Sequence, residues 1–533
     1  MKKMKKIFAM LLAFTMVLGM TMTASAAKPE NTNTAKAIVT NVEKGATVTA
    51  YQIIKGAYGT NGFLGYEEVD DVELFIDEYL ADSADLPTSE EITDIATRIN
   101  AGTLKLTSVQ MTQTSETVTG NATYQADLTA GYWVVLVRGT VNVYNPMLIG
   151  VYYKVDGSGE DNTLETDGVL SAKENWTLVT DGAYAKSSEV PFKKTANVQT
   201  QNAGGEVVYT IETKIPDYSV EYKSATFEIK DTFTNLKLKD NVIDVYVDDV
   251  KVENPTGIYS VTGNTADSTT FTVSFDSSWL LAREDDNETA VNAGKEIKIV
   301  YTAILTEDAI NTVAGTNKAE LTYTRNPEDN KGHKEDTEKV YSFDIDAGVT
   351  KQVITKVEEG ATENTTAPLA GATFKLYTDA ACTTEYSNTS TKDKLTAAGV
   401  VSDAGGQLHI SGLNVGTYYL KETKAPAGYS LNDTVYKIEI EATIDAETDE
   451  LTAWNIKVTN MTTNEVLTNN FTVSNGTASV SDGTIDETKV MNIQLIALPS
   501  TGGIGTTIFT IAGCGIMIAA AFFFFVSRKK ENE

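Results

Sequence analysis

Val207-Val208-Tyr209-Thr210-Ile211-Glu212-Thr213-Lys214-Ile215 sets large or β-branched side chains at every second position. Side chains of a strand alternate faces with a period of two, so Val207, Tyr209, Ile211, Thr213 and Ile215 share one face. Ile297, Ile299, Tyr301, Ala303 and Leu305 repeat the pattern. Thr, Val, Ile and Tyr dominate such runs, and Gly, Asn and Asp clusters separate them, as half-buried strands joined by turns require. Many short strands of this kind predict a mainly β chain of tandem immunoglobulin-like sandwiches. Val72 to about Asn100 departs from it: Leu74, Phe75, Tyr79 and Leu80, then Ile92, Ile95 and Ile99, recur at helical spacing around Pro87. The first domain therefore carries a helical insert.

Both ends of the 533-residue chain read as processing segments. Lys2, Lys3, Lys5 and Lys6 precede an apolar stretch from Ile7 to about Met20 and then Ala24-Ser25-Ala26, the order of a secretory signal peptide over 1–26. At the other end an uncharged run from Ile504 to Val526 stops at Arg528-Lys529-Lys530, a span long enough to cross a bilayer with its basic end retained inside. What lies between suffices for about three domains. We expect an N-terminal domain over 27–186, a middle sandwich over 187–343, a third domain over 344–497 and a terminal segment over 498–533.

The formal net charge is −30. A surface this acidic repels phosphate backbones, so nucleic acid is excluded as a partner. Cysteine occurs only as Cys382 and Cys514, the latter inside the apolar run, so no intramolecular disulfide can brace the exported part. With histidine confined to His333 and His409, neither a zinc site nor a His-dependent catalytic triad is expected, and no cofactor is implied. No glycosidase-type acid pair stands out either. The acidic loop Asp156–Asp161 lacks the ligand spacing of an EF-hand and reads as a turn, and Glu284-Asp285-Asp286 reads as a solvated loop.

Several polar residues fall on apolar faces. Phe227, Ile229, Asp231 and Phe233 share a face, Asn317 is in register with Ala319, Leu321 and Tyr323, and Lys194 follows the parity of Val190 and Phe192 while Lys193 faces out. Further on, Glu422 shares a face with Tyr418 and Leu420. A lysine, an acid and an asparagine buried near one another, each costly alone, require a joint explanation.

Leu498-Pro499-Ser500-Thr501-Gly502, followed by the apolar run and the basic tail, resembles the cell-wall sorting signal of Gram-positive surface proteins. The resemblance implies that a sortase cuts between Thr501 and Gly502 and passes the threonine carbonyl to an amine; an ordinary tail anchor is the plainer alternative. Tyr418-Tyr419-Leu420-Lys421-Glu422-Thr423-Lys424-Ala425-Pro426-Ala427-Gly428-Tyr429 is similar to the E-box of sortase-assembled pilins, and Pro368–Leu376 resembles a strand of collagen-adhesin B-type domains. The chain is thus similar to the major, or backbone, pilins of Gram-positive bacteria.

That resemblance implies intramolecular isopeptide bonds between lysine and asparagine, promoted by a buried acid: Lys194 to Asn317 with Asp231, and Lys356 to Asn492 with Glu422. Lys351 rivals Lys356, because it continues the parity of Ile345, Ala347 and Val349, while Met491, Ile493 and Leu495 compete with Asn492 for the inward face. It also implies an intersubunit lysine between the first two domains. Lys186, in Tyr184-Ala185-Lys186-Ser187, is the nearest match, with Lys173 and Lys193 as rivals. The expected partners are sortase, other copies of the chain, peptidoglycan, and accessory pilins or a host or microbial ligand. A monomeric wall-anchored adhesin or accessory pilin is the alternative function, and an enzyme is not expected.

Overall fold

The computed structural model describes residues 29–60, 62–69, 87, 89–116, 121–155, 176–188, 190–218, 222–283, 290–325, 332–345, 353–360, 367–386, 398–495 and 504–530. The signal peptide, the first half of the helical insert, the loops 156–161 and 284–286, Lys173, Lys351, Leu498, Pro499, Thr501 and Gly502 lie outside the described residues. Two compact units result, Met1–Ala309 with Val313–Tyr341 and Ala446–Glu450, and Ile310–Thr312 with Ser342–Asp445 and Leu451–Glu533.

In the first unit, the N-terminal sandwich opposes two sheets. One orders the strands Ala183–Tyr184, Thr34–Glu43, Asn121–Thr129 and Thr112–Glu116. The other runs Trp176–Thr180, Met147–Val155, Gly131–Arg138, Thr47–Gly59 and Gly62–Glu68, with Ser108–Gln110 also paired to Thr47–Gly59. Val39, Val48, Leu128, Trp133, Val135 and Ile149 fill the space between them. The helix Ser89–Asn100 presents Ile95, Ala96 and Ile99 to the outer face of the second sheet, over Ile53, Val134 and Leu136. Covered on both sides, Gly131–Arg138 is a continuous apolar run rather than an alternating one. Its first residue must be glycine: at φ +140° an added Cβ would lie 1.9 Å from the Ile54 carbonyl oxygen.

The second sandwich of this unit opposes two five-stranded sheets. Phe192–Ala196, Glu206–Lys214, Glu296–Leu305, Leu236–Val247 and Val250–Lys251 form one, and Tyr259–Thr262, Thr270–Phe275, Phe227–Thr234, Gly315–Tyr323 and Gly332–Val340 the other. The alternation seen in sequence holds strictly, with Val207, Tyr209, Ile211, Ile299 and Ala303 buried from one sheet against Phe227, Ile229, Phe271 and Leu321 from its opposite. Val143 of the N-terminal sandwich enters the same core, and Arg325 donates to the Thr140 carbonyl at 2.8 Å.

In the second unit, Ile354–Glu358 pairs in parallel with Thr488–Asn492. An eight-stranded sheet contains Glu385–Tyr386, Thr373–Tyr377, Gly416–Lys424, Val435–Ile444, Leu451–Asn460, Val466–Ser474 and Thr477–Val480, with Val400–Val401 also on Thr373–Tyr377. Trp454 stacks on Phe471 with ring centroids 4.7 Å apart. Ile504–Lys530 is one helix, and Thr507–Arg528 within it is long and apolar enough to cross a membrane.

Candidate functional sites: two buried amine, acid and amide clusters

In the second sandwich, one sheet supplies an amine and a phenol, and the other a carboxyl and an amide. Lys194 sits on the edge strand, and Tyr301 on the strand two places further in, paired directly across from Tyr209. On the opposite sheet Asp231 pairs with Ala319 and Phe233 with Asn317, which sets the acid and the amide side by side on neighbouring strands. Lys194, Asp231 and Asn317 are all buried, as their parity required, while Lys193 is exposed.

Lys194 Nζ donates to Asp231 Oδ1 at 2.9 Å and Oδ2 at 2.8 Å, and lies 2.8 Å from the Tyr301 hydroxyl. That hydroxyl makes a further short bond to Asp231 Oδ2 and receives Asn317 Nδ2 at 3.0 Å. Asn317 Oδ1 is buried without a hydrogen-bond partner. Rings wall the site: Tyr209 stacks on Tyr301, and Phe271 meets Tyr301 edge-on at 4.8 Å. Stripping water from the site pulls the Lys194 amine down and pushes the Asp231 carboxyl up, each against the attraction of the other. Burial likewise holds the Tyr301 phenol well above its usual value. All three shifts run toward the neutral form.

The backbone carrying Lys194 is held from its free edge. Lys194 N donates to Asp336 at 2.7 Å and Ala196 N to Glu338 at 3.1 Å, so two carboxylates satisfy amides that the edge strand leaves open. Burial raises Glu338 to about 7.

The second unit holds an equivalent cluster built on different strands. Lys356 is buried on Ile354–Glu358, and Asn492 is buried on the parallel strand beside it. Lys356 Nζ donates to the Val490 carbonyl at 3.1 Å and, through a shorter bond, to Asn492 Oδ1, and lies 3.6 Å from Glu422 Oε2. Asn492 Nδ2 donates to Glu422 Oε1 at 2.9 Å, and Asn432 N donates to Oε2 at 3.0 Å. Phe374 covers the amine with its ring centroid 5.9 Å away. Desolvation lowers the Lys356 amine to about 8. The competition for the inward face is resolved against the apolar residues: Met491, Ile493 and Leu495 are exposed and Asn492 points in.

Sequence reasoning placed the three members of each cluster but not Tyr301, whose parity with Ile297 and Ile299 was read only as core, nor the Phe374 cover. The available signal was a polar hydroxyl on an otherwise apolar inward face. Lys186 is exposed between the short strands Ala183–Tyr184 and Ser187–Ser188, and its carbonyl receives Asn145 N at 3.4 Å. Glu320, His333 and Glu335 approach closely enough to consider a cation, but Lys318 already bridges Glu320 at 3.2 Å and Glu335 at 2.7 Å.

Family models match three stretches: a T6 antigen Ig like domain over residues 32–175, the prealbumin-like fold domain of the SpaA type over 351–457, and an LPXTG cell wall anchor motif over 492–533. The chain is 28% identical over 595 aligned positions to the trypsin-resistant surface T6 protein of Streptococcus pyogenes serotype M6, covering 97% of this chain and 99% of that one. Among solved structures it resembles the three-domain T6 backbone pilin of the same serotype, with a TM-score of 0.59 and 22% identity over 88% of this chain and all of the other. The fold, the anchor motif and the surface-protein relative agree, and the chain is a cell-wall-anchored surface protein of Gram-positive type that is similar to the sortase-assembled major pilins.

Proposed function

We propose that this structural pilus subunit is a three-domain shaft protein, with domains over 27–186, 187–343 and 344–497, locked internally by two isopeptide bonds and joined end to end by sortase. The observation that carries the reading is the occurrence of two separate buried clusters, each holding a lysine amine, an acid and an asparagine amide in one hydrogen-bonded group. Chance burial of one such set would be costly, and burial of two calls for a shared use. In each, a neutral amine adds to the amide carbon and ammonia departs. The fold supplies proximity, worth up to about 7–11 kcal/mol in well-oriented intramolecular reactions. Asp231 and Glu422 are the acids, Lys194 and Lys356 the nucleophiles, and Asn317 and Asn492 the acceptors.

For assembly, Leu498, Pro499, Thr501 and Gly502 form the sorting sequence, cut after Thr501. Lys186 of a second copy takes the threonine carbonyl, and the last subunit passes to peptidoglycan. Exposure of Lys186 on a short segment pinned at both ends suits an amine that must enter another protein's active site. Accessory pilins and a host or microbial ligand complete the proposed partners.

The test is peptide mapping with intact-mass measurement on wall-extracted material. We expect two ammonia losses, Lys194–Asn317 and Lys356–Asn492 crosslinked peptides, and a Thr501–Lys186 peptide from a ladder of detergent-resistant multimers. Free Asn317 and Asn492 would remove the internal locks. A single wall-linked band, with no ladder to lose in the Lys186→Arg strain, would instead identify a monomeric adhesin.

A further inference from the structure

The two clusters differ in one respect that bears on their chemistry. In the second unit the acid touches the amide nitrogen directly, Glu422 Oε1 lying 2.9 Å from Asn492 Nδ2. In the second sandwich a hydroxyl stands in between: Asn317 Nδ2 meets Tyr301, and Tyr301 meets Asp231 Oδ2. The same hydroxyl lies 2.8 Å from Lys194 Nζ, so it touches amine, acid and amide at once.

We propose that Tyr301 is a catalytic residue of the Lys194–Asn317 reaction, its hydroxyl relaying a proton from the Asp231 carboxyl to the departing Asn317 nitrogen. The inference rests on that crosslink and adds the route by which its leaving group becomes ammonia. An amide nitrogen leaves poorly unless it is protonated as the C–N bond breaks, so an acid must reach Nδ2 itself. Asp231 is occupied on both oxygens by Lys194 Nζ, and the phenol is the hydroxyl that contacts the nitrogen.

The steps balance with no outside reactant. The Nζ electron pair forms the new bond to Asn317 Cγ, and the carbonyl electrons move to Oδ1. Tyr301 gives its proton to Nδ2 and takes one from Asp231 Oδ2. The carboxylate left behind removes a proton from the now cationic Nζ through Oδ1. Collapse of the oxyanion restores the carbonyl, breaks the Cγ–Nδ2 bond and releases ammonia. Asp231 and Tyr301 end as they began. Burial supports the cycle, because desolvation favours the neutral amine, the protonated acid and the undissociated phenol that it starts from.

Tyr301→Phe tests the relay in the mature chain made by cell-free synthesis, with mass and peptide maps sampled over time. The substitution keeps the ring that stacks on Tyr209 and meets Phe271, and the Lys356–Asn492 reaction in the same molecule serves as an internal clock. We expect the Lys194–Asn317 product to form roughly 100–10,000-fold more slowly, as loss of a general acid predicts, with the second ammonia lost at the wild-type rate. Fluorotyrosines at position 301 supply a readout that packing alone would not move: the rate should follow phenol acidity while the fold is unchanged. Crosslinking of Tyr301→Phe at the wild-type rate, or a rate indifferent to phenol acidity, overturns the relay. Wild-type chain that loses one ammonia only, with Asn317 free, removes the reaction itself and the relay with it.

Discussion

Replacing Glu422 with glutamine isolates the mechanical value of the Lys356–Asn492 bond, because amine, amide and packing volume all stay in place. Without an acid beside Asn492 the bond should not form. The crosslink would join residues 136 apart in sequence. Restraining an unfolded loop of that length is worth about 5 kcal/mol by the chain-entropy relation used for disulfides. Glutamine also loses an acceptor, since Glu422 receives Asn492 Nδ2 on one oxygen and Asn432 N on the other. One buried group left badly paired adds about 1–3 kcal/mol. The combined loss of about 6–8 kcal/mol lowers the melting temperature by roughly 12–30 °C for a unit of this size. Scanning calorimetry of the mature wild-type and Glu422→Gln chains measures the shift, and intact mass reports whether ammonia was retained. A variant that keeps its ammonia yet melts with the wild type would refute the restraint argument. One that loses ammonia as fast as the wild type would show that Glu422 is not the promoting acid.

Three further outcomes are expected. With Lys356 near 8, below the ordinary lysine value, the neutral fraction grows as pH rises, so crosslinking of newly folded chain should quicken about tenfold per pH unit from 6 and level off above 8, as followed by mass against time. Gly406 adopts φ +74°, and an added Cβ would stand 2.2 Å from the Lys356 carbonyl oxygen; Gly406→Ala should displace the nucleophile and slow the same bond by about 100-fold, the scale set by a 1 Å misplacement, with Lys194–Asn317 unaffected in the same mass spectrum. Glu338, raised to about 7, holds its proton more firmly folded than unfolded, so its contribution to stability is present below about 4.5 and is lost as pH rises through 7. Glu338→Gln should therefore raise the melting temperature at pH 8, by the equivalent of about 1 kcal/mol after solvent screening, and leave it unchanged at pH 4.

Period-two reading succeeded where one face is wet. Lys194, Asp231 and Asn317 were legible because each interrupts an alternation whose other inward members are aromatic or branched, and register then brings them together. It stopped short in two instructive ways. At Asn492 alternation left the inward face open, because the apolar residues Met491, Ile493 and Leu495 occupy the exposed face; the parallel pairing with Ile354–Glu358 fixes the orientation and is a long-range fact. Tyr301 was visible as a core residue, but its hydroxyl acquires chemical meaning only through partners on the opposite sheet. The helix Ser89–Asn100 was readable from local spacing, whereas the strand it covers, apolar on both faces, has no alternation to read.

On the proposed three-domain division, the placement of the two clusters would let the folded modules serve as one tensile element. On the proposed linkage, load enters at Lys186 and leaves at Thr501. Between them the chain runs to Lys194, on the first strand of the second sandwich, crosses to Asn317, continues to Lys356, on the first described strand of the proposed third domain, and crosses to Asn492, on the last described one. Residues 195–316 and 357–491 then lie in closed loops that carry none of the force, and the N-terminal sandwich precedes the point of attachment. Unfolding either sandwich under load would release length at about 3.4 Å per residue if hydrogen bonds alone held it. A bond from the first strand to one of the last two removes the length between the bonded residues from the path, whatever the stability of the sheets inside the loop. Locks set deeper within each module would leave more strand free to peel, as Gly332–Val340, which follows Asn317, already is; the buried amines therefore belong at the entry of each domain and the acceptors near its exit.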